Sequence, residues 1–143
     1  MLHVAAIEAL FGSINPAVVQ GPDLALRLTK AVELVQSMPN RSQSVRRALY
    51  PAMTKLFERI RASAGPTPDF EASQLKALLF GSDAEVEAIR LLRADTVVAV
   101  IKTASPALAA EMRSGIEAFK KDERSTAVQA RLELANGATY ASH

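Results

Sequence analysis

The sequence predicts an all-α, single-domain bundle of about six to seven helices, one of them central and largely buried. Three observations carry that expectation. Apolar residues recur at three- and four-residue steps along most of the chain, the spacing of one face of an α-helix. Gly and Pro fall at nearly every place where that period breaks. The apolar content, 49% of 143 residues with only 5% aromatic and no Trp, comes from Leu, Val, Ile and Ala, the last being the best helix former. A chain of this length buries roughly two-thirds of the surface it would expose unfolded, so one core is expected.

The elements follow in order. A first helix runs from Leu2 to Phe11 and stops at Gly12, which can take the left-handed conformation that often ends a helix. Asn15-Pro16 reads as an N-cap with Pro at the first helical position, and Gly21-Pro22-Asp23 repeats the device with an acid near the positive end of the helix dipole. Leu24, Leu28, Ala31, Val32, Val35 and Met38 then share one face of a long helix that Pro39-Asn40 terminates. A third helix starts near Ser42 and aligns Val45, Leu49, Ala52, Met53, Leu56 and Ile60, with a kink or short break expected at Pro51. Gly65-Pro66-Thr67-Pro68 closes it and is a candidate hinge at 65–68.

Phe70, Leu75, Leu78 and Leu79 mark a fourth helix ending at Phe80-Gly81. Ser82-Asp83-Ala84-Glu85 fits a capping box, in which Ser82 and Glu85 satisfy each other's backbone donors, and predicts the start of the fifth helix. Val86, Ile89, Leu92, Thr96, Val100 and Thr103 share its face, and Val97, Val98 and Ile101 widen the apolar arc as in a helix enclosed by others. The β-branched run Thr96 to Ile101 leaves a short strand as the competing reading. Ser105-Pro106 caps a sixth helix carrying Leu108, Met112, Ile116 and Phe119; after the polar stretch 120–124, Val128, Leu132 and Ala135 form a last helix that ends at Gly137, leaving 137–143 as a flexible tail. Leu10-Phe11-Gly12-Ser13 recurs as Leu79-Phe80-Gly81-Ser82. A duplicated half would account for this, but Gly followed by Ser is an ordinary way to stop one helix and start another, and the flanks do not align.

Function is approached chiefly by exclusion. With no Cys, disulfides, thiolate metal sites and a Cys nucleophile are ruled out. The N-terminus has no basic region and carries Glu8, so it does not read as a secretory signal, and no apolar run reaches the ~20 residues of a membrane span. A cytoplasmic protein, or one within a virion assembled there, is expected. The two histidines, His3 and His143, stand at the chain ends, badly placed for a general base. No metal-binding motif or Gly-rich phosphate loop is present, so no metal, cofactor or small-molecule ligand is expected. Asp83 and Glu87 lie one turn apart as a carboxylate pair might, but acids in a first helical turn more simply complement the dipole. Ser73-Gln74-Leu75-Lys76 has the spacing of Ser-Lys acyl enzymes without their companion motifs.

Charge is the one feature above background. Over 41–61, the basic residues Arg41, Arg46, Arg47, Lys55, Arg59 and Arg61 face only Glu58, a local +5 in a chain of net +2. Arg46, Arg47 and Arg61 project near Tyr50 and Thr54, an arrangement able to track phosphates while the ring stacks on a base. The simpler reading is a solvated face whose arginines meet acids of neighbouring helices or another subunit. A helix-turn-helix over 75–93 fails, because acids at 83, 85 and 87 would repel DNA. The leading expectation is therefore a non-enzymatic structural or assembly protein: a helical subunit packing with itself or partner proteins, as in a viral or phage particle or a scaffold. The alternative is a sequence-nonspecific nucleic-acid-binding protein using the basic helix 41–61. A third reading is an enzyme or regulator that works only within a complex.

Overall fold

A computed structural model of the chain describes residues 2–38, 42–63, 65–68, 70, 72–81 and 85–136. Among them the chain forms seven α-helices and no strand: α1 (Leu2–Gly12), α2 (Gly21–Gln36), α3 (Gln43–Ser63), α4 (Ser73–Phe80), α5 (Glu87–Thr103), α6 (Pro106–Asp122) and α7 (Thr126–Glu133). The all-helical expectation holds, and α5 is the enclosed helix. Its buried residues include Ile89, Arg93, Ala94, every position from Thr96 to Ile101, and Thr103. The strand considered for Thr96 to Ile101 does not form. Burial on all sides, rather than a pleated sheet, accommodates its β-branched residues, and tertiary packing overrides their local preference.

The helices stack in two layers. In one, α1 packs on α3, α3 on α5 and α5 on α7; in the other, α2 packs on α4 and α4 on α6. Two threonines fix the register of the central pair. Thr96 Oγ1 lies 3.0 Å from the Tyr50 carbonyl, and Thr103 Oγ1 lies 3.5 Å from that of Phe57; each pair is separated by 46 residues. Both helices advance by the same step between these contacts, so α3 and α5 run in the same direction. An offset of this size with neighbours one helix pair apart is the spacing of stacked helical repeats, roughly 40–47 residues. One contiguous apolar cluster, from Ile7 through Leu56 and Val97 to Ala135, fills the space between the helices.

The local signals are met unevenly. Pro22 opens α2 with Asp23 in its first turn. Ser105 accepts the Leu108 amide at the start of α6, and Ser125 does the same for Val128 at α7. Gly12 is not left-handed: among the described residues only Gly21 and Gly65 have positive φ, and Gly12 is simply the last residue of α1. Asn15-Pro16 opens a turn rather than a helix, with Asn15 Oδ1 accepting from the Ala17 amide. α3 runs unbroken through Pro51. The carbonyl that Pro51 leaves unserved is that of Arg47, an exposed residue whose backbone water can reach. The two Leu-Phe-Gly-Ser segments differ in structure, since Gly12 is helical and Gly81 is extended.

The largest departure concerns Glu85. The fifth helix begins at Glu87 rather than Ser82, its N-cap is Val86, and no side chain caps it. Ser82 lies outside the described residues. Glu85 precedes the helix, and its carboxylate is 1% exposed among arginines. A cap stabilises by about 1 kcal/mol, whereas two guanidinium partners in the interior hold a carboxylate more strongly. Within the segment expected to hinge at 65–68, Thr67 is buried and its amide donates to the Thr103 carbonyl at 2.8 Å. The helix ends expected at Pro39-Asn40 and Gly137, and the tail 137–143, fall outside the described residues.

Candidate functional site

The basic residues that the sequence groups on one helix are sent to three different places. Arg41 lies outside the described residues. Arg59 turns toward α1, where its guanidinium donates to the Ile14 carbonyl at 2.9 Å and to the Phe11 carbonyl at 3.0 Å. Those acceptors sit at and just past the C-terminal end of α1, which lacks intrahelical donors and carries the negative end of its dipole. Arg59 is thus a cap supplied by the neighbouring helix of the same layer.

Arg46 and Tyr50 point the other way, toward Glu85. The Tyr50 hydroxyl lies 3.5 Å and Arg46 Nε 3.8 Å from Glu85 Oε2. Arg93 Nη1 stands 3.0 Å from Glu85 Oε1, an ion pair whose alignment falls short of a hydrogen bond. The Arg93 guanidinium also lies 4.3 Å above the centre of the Phe119 ring. Tyr50 is only 3% exposed, so its ring cannot stack on a base. Beside this cluster, Arg90 Nε reaches both oxygens of Glu123 at 3.1 and 2.9 Å, while Arg90 Nη1 donates to the Glu85 carbonyl at 2.6 Å. Burial alone would raise the Glu123 carboxyl, but the Arg90 hydrogen bond and the amides of Ser125 and Arg124 outweigh it and hold the group below its usual range. Arg90 is raised in turn, chiefly by its hydrogen bond to Glu123.

A cavity of about 460 Å³ between α4, α5 and α6 opens on this cluster, walled by Phe80, Gly81, Arg93, Gly115 and Phe119. Its two buried carboxylates, Glu85 and Glu123, are engaged by guanidinium groups of the same chain, while Asp122 stands exposed at its edge. Their work is to bind the segment before α5 and the α6–α7 turn to the helices. Gly115 lets α4 and α6 approach closely, since a Cβ there would stand 2.4 Å from Cδ2 of Phe80.

A second concavity lies on the face of the α1/α3/α5/α7 layer. It measures about 480 Å³ and spans three successive helices: Lys55, Glu58 and Arg61 from α3, Asp95 and Lys102 from α5, and Arg131 from α7. Phe57, Leu92, Val98 and Ala99 form the floor, and Leu134, which is 55% exposed, stands at the rim. Arg131 and Asp95 form an ion pair across α5 and α7. Lys55 and Arg61 are exposed, as is Arg47, which does not line the groove. Of the seven residues singled out in the sequence, the structure therefore brings two into this groove, two to Glu85 and one to α1. Sequence reasoning missed Asp95, Lys102 and Arg131. The step 92, 95, 99, 102 does place a mixed polar and apolar stripe on one side of α5, but nothing in it says which helix would face it.

This layered geometry agrees with a direct comparison. A family model described as ECM29, C-terminal ARM-like repeats, matches residues 2–138. The chain belongs to this family. No curated protein and no solved structure matches the chain. ARM-like repeats stack helix pairs so that each contacts only its neighbours and together they present extended binding surfaces. The ARM-like chain is accordingly a helical protein-interaction domain. Among its described residues, no helix is long and apolar enough to cross a membrane, and no group of three or more His, Cys, Asp or Glu could hold a metal ion.

Proposed function

We propose that this ARM-like domain is a non-catalytic assembly module that receives a segment of a partner protein in the groove across α3, α5 and α7. One observation carries the reading: a continuous cleft over three stacked helices combines an apolar floor with charged walls, the composition of an interface core and rim. The cleft's volume lies within the roughly 300–1,000 Å³ of ligand sites, and its lining drawn from three helices suits a polypeptide segment. A cytoplasmic setting is part of the proposal. Nothing in the fold or the family bears on a virion or phage role.

Lysine-directed crosslinking of the full chain with its co-purifying protein tests the location. The expected links are to Lys55 and Lys102. Links confined to Lys30 on α2 and Lys76 on α4 would move the interface to the other layer and end this reading.

Self-association is a second reading, favoured by Leu26 and Leu34, which are 57% and 56% exposed on α2. Light scattering decides it. A dimer or larger assembly that Leu26→Glu plus Leu34→Glu dissociates supports it, and a monomer at all concentrations removes it.

A further inference from the structure

The charges of the α3/α5/α7 groove are out of balance, and the imbalance names a ligand chemistry. Lys55, Arg61, Lys102 and Arg131 line the groove against Glu58 and Asp95. Arg131 and Asp95 neutralise each other. Three cations then remain with one carboxylate, and none of the three has an ion-pair partner among the described residues. This contrasts with the cleft between α4, α5 and α6, where Glu85 and Glu123 are each held by arginines at close range. Like charges over a low-dielectric floor focus a positive potential into the cleft. Among the described lining residues, Glu58 alone is left to offset it.

The apolar part of the groove separates two kinds of anionic partner. Nucleic acids bind such clefts by adding base stacking on exposed rings to their phosphate contacts. Among the described residues the only aromatic one here is Phe57, which is 2% exposed and forms floor rather than platform. Leu92, Val98, Ala99 and the exposed Leu134 offer instead a seat for an aliphatic side chain.

We infer that the groove takes an acidic segment of a partner protein, whose Asp or Glu carboxylates meet Lys55, Arg61 and Lys102 while an apolar side chain packs over Leu92 and against Leu134. This rests on the groove being the partner-binding face, and it adds the sign of the partner's charge and the need for an apolar anchor. Rim charges of this kind set specificity and association rate more than they set affinity.

The test is fluorescence anisotropy with the full chain and three labelled probes: a peptide mixing Glu and Leu, the same peptide with Gln for every Glu, and single-stranded oligothymidylate. The acidic peptide should bind best and weaken steeply with added salt. Lys55→Glu with Arg61→Glu, two exposed changes whose helicity circular dichroism verifies, should cost it about tenfold in affinity. Leu134→Asp should weaken both peptides.

Equal binding of the Glu and Gln peptides, with Leu134→Asp still damaging, would overturn the acidic preference and leave the groove standing. Peptide binding indifferent to both variants would overturn the groove itself. Tighter binding of oligothymidylate than of the acidic peptide, lost in Lys55→Glu with Arg61→Glu, would replace a protein partner with nucleic acid. No binding by any probe refutes the inference.

Discussion

Replacing Gly115 by Ala gives the sharpest test of how α4 and α6 are packed. In an exposed or half-exposed helix interior this change normally stabilises by about 1 kcal/mol, because Ala loses less backbone entropy on folding than Gly. Here the added Cβ would stand 2.4 Å from Cδ2, 2.6 Å from Cγ and 2.8 Å from Cε2 of Phe80. Cγ is the atom that matters. It is one bond beyond the Cβ of Phe80, so no rotation of the ring about its own axis moves it, and relief needs either a different first side-chain torsion or a displacement of α4 from α6. Overpacking of this kind costs about 1–3 kcal/mol, which at least cancels the helix-propensity gain and leaves a net destabilisation of up to about 2 kcal/mol. For a domain of this size that is a fall in Tm of up to about 8 °C. Thermal or urea unfolding of Gly115→Ala measures it. The control is the same change with Phe80→Ala already in place: the obstructing ring is gone, and Gly115→Ala should now stabilise by about 1 kcal/mol. A rise in Tm for Gly115→Ala alone, or the same sign in both backgrounds, would show that the close approach does not exist.

Three further outcomes follow from the polar contacts. Glu85→Ala strands Arg93 and should destabilise the fold by about 3 kcal/mol in urea melts, whereas Glu85→Leu combined with Arg93→Leu should recover most of that loss; a Glu85→Ala variant within about 0.5 kcal/mol of the parent would refute the interior role of this carboxylate. Glu123 titrates below its unfolded value near 4.3, so in acid the unfolded chain binds the proton that the folded chain refuses. Its stabilisation is therefore complete above that pH and is lost as pH falls through the lower folded value, and Glu123→Gln should flatten the acid limb of stability against pH while leaving the neutral-to-alkaline limb parallel. Arg59→Met keeps the aliphatic stem but removes two hydrogen bonds to the end of α1, and should cost about 2 kcal/mol. Amide exchange should show the loss first in α1, and equal acceleration across all helices would argue against a cap.

What the residues determine by themselves is local. The period of apolar side chains, the Pro at the start of α2 and the Ser105 cap of α6 declare helices because a helix satisfies its own backbone within four residues, and the relevant neighbours are already adjacent in sequence. The breadth of the apolar arc on α5 even foretold that this helix would be enclosed, since every face of it needed cover. The destinations of the polar side chains were another matter. Arg59 finds Phe11 across 48 residues, Tyr50 finds Glu85 across 35, and Arg90 finds Glu123 across 33. On α3 alone, Arg46, Lys55 and Arg59 belong to one run of positive charge. The stacking of α1, α3, α5 and α7 divides it into an internal ion pair, a groove wall and a helix cap.

Glu85 shows the same division most plainly. Its spacing from Ser82 specifies a capping box, worth about 1 kcal/mol, while the fold surrounds it with guanidinium groups whose attraction in a low-dielectric interior is larger. Sequence spacing reports interactions within a turn or two of helix. The layer packing decides which charges meet, because only there do groups dozens of residues apart come within 3 or 4 Å and outcompete the local choice.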